Sequence, residues 1–357
     1  EKMKTFAYIG LFQGLAQLGI SFLVYLEPFD RLVFYALLLM ILQFLIRFMY
    51  QVYCRKHFEE CHYRFVYDKP LLKHMFSYSL WHLIGNGAAV LKNHGVNLVL
   101  NYFFGPAVNA ARGLANHVDG AVNQFVGNFM MAMNPQITQS YAKGDLKYML
   151  NLINKGSRFS FYLVLILSLP IIINAHFIIG IWLKQVPEYT VIFTQLTLVV
   201  MILSALSKPL ITAQNATGNV RDYQLVVGGI NLLNLPGSFI CLYLGCNPQS
   251  VVIVAIVVEV IAFMVRVYML PKTIPSFSPL SFMRNIGLKC LLVACVATIP
   301  AFVLDNFMHE NFLTFVFNVL FSLCISSVVI LYLGCTYNER TLILSKVKSL
   351  RCKILKQ

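Results

Sequence analysis

The sequence predicts an all-α fold, a polytopic transmembrane helix bundle of about ten spans with both ends on the cytoplasmic side. Three observations predict it. Of 357 residues, 58% are apolar and only 12% charged, with a mean hydropathy of +0.71. Soluble domains carry about 25% charged and about 45–50% apolar residues. Apolar runs of the roughly 20 residues needed to cross a bilayer recur along the chain, and the lysines and arginines gather on alternate connections. Such a chain cannot cover an apolar core with polar surface, whereas in a bilayer the apolar surface faces lipid.

In chain order the clear spans are 5–26, 32–53, 157–175, 190–213, 223–245, 248–270, 286–304 and 312–335. Two more, 77–103 and 107–133, are less apolar. Phe6–Leu26, preceded by Lys2 and Lys4, imitates a signal peptide. It is too long for an h-region and lacks a small-residue cleavage site, so it reads as the first span of what is expected to be a fragment. Gly228-Gly229, Asn231, Asn234 and Pro236-Gly237 predict a weakened or kinked helix in 223–245, and Pro170, Pro209 and Pro300 interrupt other spans. Cys54–Pro70 and Pro135–Lys155 read as amphipathic cytoplasmic loops, the second turning at Ala142-Lys143-Gly144-Asp145. The external connections are tight at Glu27–Arg31, Gly105-Pro106 and Gly245–Gln249. His176–Tyr189, with its Trp and Lys, predicts a short helix in the outer interface.

The net charge is +14. On a soluble protein that would point to nucleic acid. Here all but four of the 28 lysines and arginines fall on one side of a ten-span topology, as cytoplasmic loops require. Arg31 and Lys184 are external, and Lys92 and Arg112 lie within spans. Lys208 and Arg221 count with the cytoplasmic side. No aromatic-plus-basic RNA motif or DNA-reading helix is present, so nucleic acid is set aside as a partner.

The two weak spans hold the chemistry. In 77–103, Ser79, His82, Asn86, Asn93, Asn97 and Asn101 recur at helical spacing, flanked by Lys92 and His94. In 107–133 the stripe is Asn109, Arg112, Asn116, Asp119 and Asn123, continuing to Asn134. Joined by Gly105-Pro106, an antiparallel pair turns both polar faces toward a common cavity. Charged groups at bilayer depth usually mark a transport route. Arg112 suits a phosphate bidentately and Lys92 adds a point charge, while Asn amides donate to and accept from sugar hydroxyls. Asp119 either pairs with Arg112 or binds a coupling cation, proton or sodium. Glu259, with Arg266 two turns on, is a second ion-coupling candidate; a membrane-buried Glu kept protonated or paired fits equally well. The plainer reading of any single Asn is polar glue between helices, worth about 1 kcal/mol or less.

No catalytic constellation is visible: no Gly-rich phosphate loop, HExxH, paired carboxylates or nucleophile elbow. An enzyme and a cofactor are therefore not expected. None of the nine cysteines forms a CxxC. Cys54, His57, Cys61 and His62 look like metal ligands, but one short stretch rarely completes a zinc site, so no metal is expected. Asn215-Ala216-Thr217 matches a glycosylation sequon but falls on the cytoplasmic side.

Five stretches carry a family resemblance: Asn97–Gly113, Asn134–Asp145, Ile181–Tyr189, Pro209–Gly218 and Tyr223–Gly229. Through them the chain resembles the Wzx-type polysaccharide and O-antigen flippases of the MATE-like MOP exporter superfamily. The resemblance implies two six-helix lobes in a V plus two extra C-terminal helices, with the first four helices lying outside this sequence. Residues 1–53 would then be the last two helices of an incomplete N-terminal lobe and 54–76 an amphipathic linker. Residues 77–270 would be the C-terminal lobe, 271–335 the extra helices and 336–357 a basic tail resting on anionic membrane lipid. The implied activity is export of an undecaprenyl-pyrophosphate-linked oligosaccharide across a bacterial inner membrane, alongside polysaccharide polymerase machinery. A cation-coupled drug antiporter of the same fold is the alternative. A membrane polymerase or ligase ranks lower, because such enzymes typically have a large external loop.

Overall fold

A computed structural model describes residues 3–25, 30–58, 61, 67–183, 185–306, 311–341 and 345. Lys2, Glu27, His62, Lys184, Glu310 and most of the basic tail lie outside the described residues. Those described are almost wholly helical, without strands. Seven helices are long and apolar enough to cross a membrane, and an eighth span arises if one bent pair is taken together. The chain is thus a multi-pass helical membrane protein. The two segments of the expected ten that fall outside this set are 77–103 and 107–133. Both are helical, but their amides and charges lower their hydropathy.

The chain divides into two compact units, Glu1–Leu72 and Lys73–Gln357. In the first, α1 (Met3–Tyr25) and α2 (Arg31–His57) form an antiparallel hairpin. Ile9 and Ile20 pack with Leu42 and Ile46, and Thr5 Oγ1 donates to the Tyr53 hydroxyl at 2.9 Å. Asp30 caps α2 by accepting from the Leu32 N–H at 3.0 Å. His57 stacks on Tyr53 and donates through Nδ1 to its carbonyl at 3.0 Å.

Helix α3 (Lys69–Val90) begins a full two turns before the expected start at residue 77. Asp68 accepts from the Leu71 N–H at 3.1 Å, and Pro70 fits a first turn, where its missing N–H is harmless. A π-helical turn, Leu91–Gly95, leads into α4 (Val96–Ala142), which is interrupted at Gly105. Helix α4 therefore runs well past 133 and through Pro135, so most of the expected Pro135–Lys155 loop is helix. Side-chain bonds from Gln136 to the Ala132 carbonyl and from Thr138 to the Asn134 carbonyl support the backbone around the proline. The turn falls where expected. Gly144 takes φ +76°, and Asp145 caps α5 (Leu146–Ile173) through the Tyr148 N–H at 3.0 Å.

Helix α5 is the most enclosed span. It packs against α4, α7 (Thr190–Ala205), α8 (Lys208–Ala216), α13 (Leu288–Asn306) and α14 (Phe312–Val329). The short α6 (Ala175–Trp182) realises the expected helix in His176–Tyr189, its Trp182 exposed. Helices α7 and α8 meet at a 41° bend at Leu206-Ser207, and Pro209 sits in the first turn of α8. The predicted weak helix breaks at Leu233 into α9 (Arg221–Leu232) and α10 (Asn234–Tyr243). Helix α11 (Ser250–Met269) packs on α7, α9 and α10, and a four-residue α12 (Pro279–Phe282) precedes α13.

At the end of α14 the chain is tied to α5. Gly334 lies so close under Tyr162 that a Cβ would meet the ring at 2.7 Å. Its carbonyl accepts from the Tyr162 hydroxyl at 3.2 Å and from Arg158 at 3.3 Å. Arg158 also pairs with Glu339 at 2.5 Å, whose other oxygen accepts from the Thr336 N–H at 2.9 Å. Burial alone would raise the Glu339 carboxyl. The bonds from Thr336 and the Arg158 charge outweigh it and hold the group below the usual glutamate range. Because the folded value is the lower one, this contribution is full above the unfolded value of about 4.3 and is lost as pH falls through the folded value. Protection of the Thr336 amide from hydrogen exchange is therefore expected to drop below about pH 4. In Glu339→Gln it should be weak at every pH. Unchanged protection in wild type at low pH would show that the pair does not hold this segment.

Candidate functional site

The site is built on the hairpin at Gly105. That residue has φ 78° and ψ −177°, a conformation essentially confined to glycine, and Pro106 starts the next helix with its φ already set. Arg112 Nη1 donates to the Asn93 carbonyl at 3.2 Å and to Asn97 Oδ1. Along a straight helix Arg112 and Asn93 would stand about 28 Å apart. The contact requires the chain to reverse at Gly105, so the two halves run antiparallel.

Each half is amphipathic. Val96 and Leu100 on one side of the turn, and Ala111 and Ala115 on the other, are buried in one cluster with Phe193, Leu242, Val251 and Val252. Val122, Val126 and Met130 continue the buried side of α4 against α5 and α7. The polar residues lie beside this apolar seam. Asn86, Asn93, Asn101, Asn116 and Asn123 are exposed; Asn97, Asn109, Arg112 and Asp119 are half-buried. The stripe is thus an open polar face of this unit.

The structure enlarges the stripe by a residue that counts with the cytoplasmic side in the charge pattern. Lys208, at the bend between α7 and α8, donates to Asn123 Oδ1 at 2.5 Å. One turn further on α8, Thr212 donates to Asn134 Oδ1 at 2.9 Å. The available signal was Ser207-Lys208-Pro209 inside the bounds of an apolar span, a cation and a helix breaker together.

Two expectations change, and a third resolves between its alternatives. Asp119 interacts electrostatically with Lys208, whereas Arg112 reaches across the hairpin to Asn97 and the Asn93 carbonyl, so the suggested Arg112–Asp119 pair does not form. Lys92 does not join the stripe. Its ammonium lies 3.2 Å from Glu259 Oε2 and donates to Asn231 Oδ1 at 3.2 Å. Of the two readings left open for Glu259, the geometry gives the paired one, its Oε1 held by Arg266 at 2.8 Å, in place of an acid open to a coupling cation. Arg266 also donates to Ser207 Oγ at 3.1 Å. Glu259 and Arg266 are buried. The cluster joins the hairpin, both bent helix pairs and α11: Ser207 marks the α7–α8 bend, and Asn231 lies beside the α9–α10 break.

Helix α3 completes the scaffold. Gly85 and Ala88 meet Gly228 of α9 closely, a small-residue crossing. Gln224 Nε2 donates to His82 Nδ1 at 3.2 Å, and Arg221 stacks over Trp81. His82 thus serves the helix packing, not the stripe. Two cavities lie elsewhere. One, of about 420 Å³, is at the α4–α5 turn, lined by Gln136, Gln139, Ser140, Lys143, Asp145 and Tyr148. The other, of about 480 Å³, lies beside α6 and the start of α7. Neither includes the stripe residues. Among the described residues no three His, Cys, Asp or Glu side chains group as metal ligands. Comparison with protein-family models, curated proteins and solved structures finds no match to this chain.

Proposed function

We propose that this chain is part of a flippase that moves undecaprenyl-pyrophosphate-linked oligosaccharide repeat units across a bacterial inner membrane by alternating access. The product would feed O-antigen or capsular polysaccharide assembly. The observation that carries the reading is the antiparallel hairpin in which Arg112 closes over Asn93 and Asn97 on a face of exposed amides. A guanidinium suits phosphate oxygens and the amides suit sugar hydroxyls, while a prenyl tail stays in the lipid. Ten spans, the MATE-like arrangement and the cytoplasmic placement of both ends belong to the same reading, as does the resemblance of the five segments from Asn97 to Gly229.

The antiporter alternative asks for an acid open to a cation. Glu259 has both oxygens engaged, and Asp119 sits in the field of Lys208, so the flippase reading is the better supported.

The test is Arg112→Ala in the host cell. The variant protein is expected to insert normally while lipid-linked repeat units accumulate in the cytoplasmic leaflet. Loss of one charged hydrogen-bonding group costs about 1.5–3 kcal/mol, roughly tenfold or more in headgroup affinity. Normal surface polysaccharide in that variant would remove Arg112 from the substrate path. Drug efflux by the wild type, with no effect on repeat units, would favour the antiporter.

A further inference from the structure

With Lys92 held by Glu259 and Asn231, two cations remain on the stripe, Arg112 and Lys208. They are not neighbours. Arg112 acts at the Gly105 end of α4, whereas Lys208 reaches Asn123, three helical turns away on the same face. The backbone positions of Arg112 and Asn123 stand about 16 Å apart along the axis. A diphosphate, two phosphorus centres sharing one bridging oxygen, is shorter than that span, and each cation has its own amide partners. Between them lies Asp119, which would repel an anion stretched across the gap.

Resting on the flippase reading, we propose that α4 carries two separate diphosphate stations. One consists of Arg112 with Asn93 and Asn97, the other of Lys208 with Asn123. A headgroup occupies them in succession and passes the Asp119 carboxylate on the way. Both cations are half-buried, so each is reachable from the open face and neither is locked in a salt bridge with a buried carboxylate. Each is held at rest by neutral amide oxygens, Asn97 Oδ1 and the Asn93 carbonyl at one station and Asn123 Oδ1 at the other. A phosphate oxygen, being charged, displaces such a partner readily. Asp119, beside Lys208, weakens the hold on an anion there and favours its release toward Arg112.

The experiment is native mass spectrometry of the purified protein with farnesyl diphosphate, a short prenyl diphosphate, and farnesol as the uncharged control. Wild type is expected to bind two diphosphates and no farnesol at these stations. Arg112→Ala and Lys208→Ala should each bind one, and the double variant none. Arg112→Lys and Lys208→Arg should retain two, which separates loss of charge from loss of fold. Asp119→Asn should retain two with tighter binding at the Lys208 station. A wild-type limit of one diphosphate, or loss of all binding in either alanine variant, would overturn the two-station arrangement alone. No diphosphate binding to wild type would overturn the flippase reading with it.

Discussion

Replacing Glu259 by alanine is expected to destabilise the protein by about 3–5 kcal/mol, the range seen when one partner of a buried ion pair is removed. Glu259 Oε1 takes Arg266 at 2.8 Å and Oε2 takes Lys92 at 3.2 Å, in a site where carboxylate and guanidinium are both buried. Without the carboxylate, two cations face each other where water cannot screen them. Lys92→Met is the instructive contrast. It leaves the Glu259–Arg266 pair neutral as a whole and replaces an ammonium by an apolar chain of similar length, so its cost should be much smaller. Thermal unfolding in detergent, followed for both variants, gives the comparison. Equal shifts would mean that the three charges do not form one coupled cluster. The damage from Glu259→Ala should extend beyond the pair, because Arg266 also holds Ser207 at the α7–α8 bend and Lys92 holds Asn231 beside the α9–α10 break.

Gly105→Ala is expected to cost about 1–3 kcal/mol, the usual price of a non-glycine residue held in such a backbone conformation. Space is not the reason, since a Cβ at Gly105 would meet nothing within 4 Å. The strain comes from φ 78° with ψ −177° alone. Gly127 lies on the same helix with equally open surroundings and no positive φ, so Gly127→Ala should be neutral or mildly stabilising. Relief of the strain in Gly105→Ala would open the hairpin and separate Arg112 from Asn97. If both alanine variants melt alike, the turn is not held at Gly105 in the way described.

The hairpin was legible because its signals are local. Asn and Arg recur at helical spacing, and Gly-Pro stops one helix and starts the next. The same holds for Gly144-Asp145 and for the break in 223–245. Helix ends were harder to place. Pro135 resembles a stop, yet nearby side chains support the backbone around it, and Asp68 starts α3 ahead of the apolar run. Among the charge partners, only Arg266, two turns from Glu259 on the same helix, was legible. Lys92 and Glu259 are 167 residues apart, and Lys208 and Asn123 are 85 apart. Periodicity shows which face of a helix a residue occupies, but not which distant helix packs against it. Lys92 sits beside the stripe in sequence, yet the π-helical turn at Leu91–Gly95 shifts the helical phase there, and the ammonium engages α9 and α11.

The central claim is that the amide-and-cation face of the hairpin meets water within the membrane. Cysteine accessibility in intact membranes tests it most directly, in a chain whose nine native cysteines are replaced by serine. Single cysteines at Asn86, Asn101, Asn116 and Asn123 would be treated with a charged, water-soluble maleimide, with Leu98 and Phe125, both exposed apolar positions, as lipid-facing references. Fast labelling at the four asparagine positions and little at the two references is the predicted result. Labelling at the asparagines as slow as at Leu98 and Phe125 would contradict the account, placing the stripe against lipid or protein and leaving no watery route for a sugar headgroup.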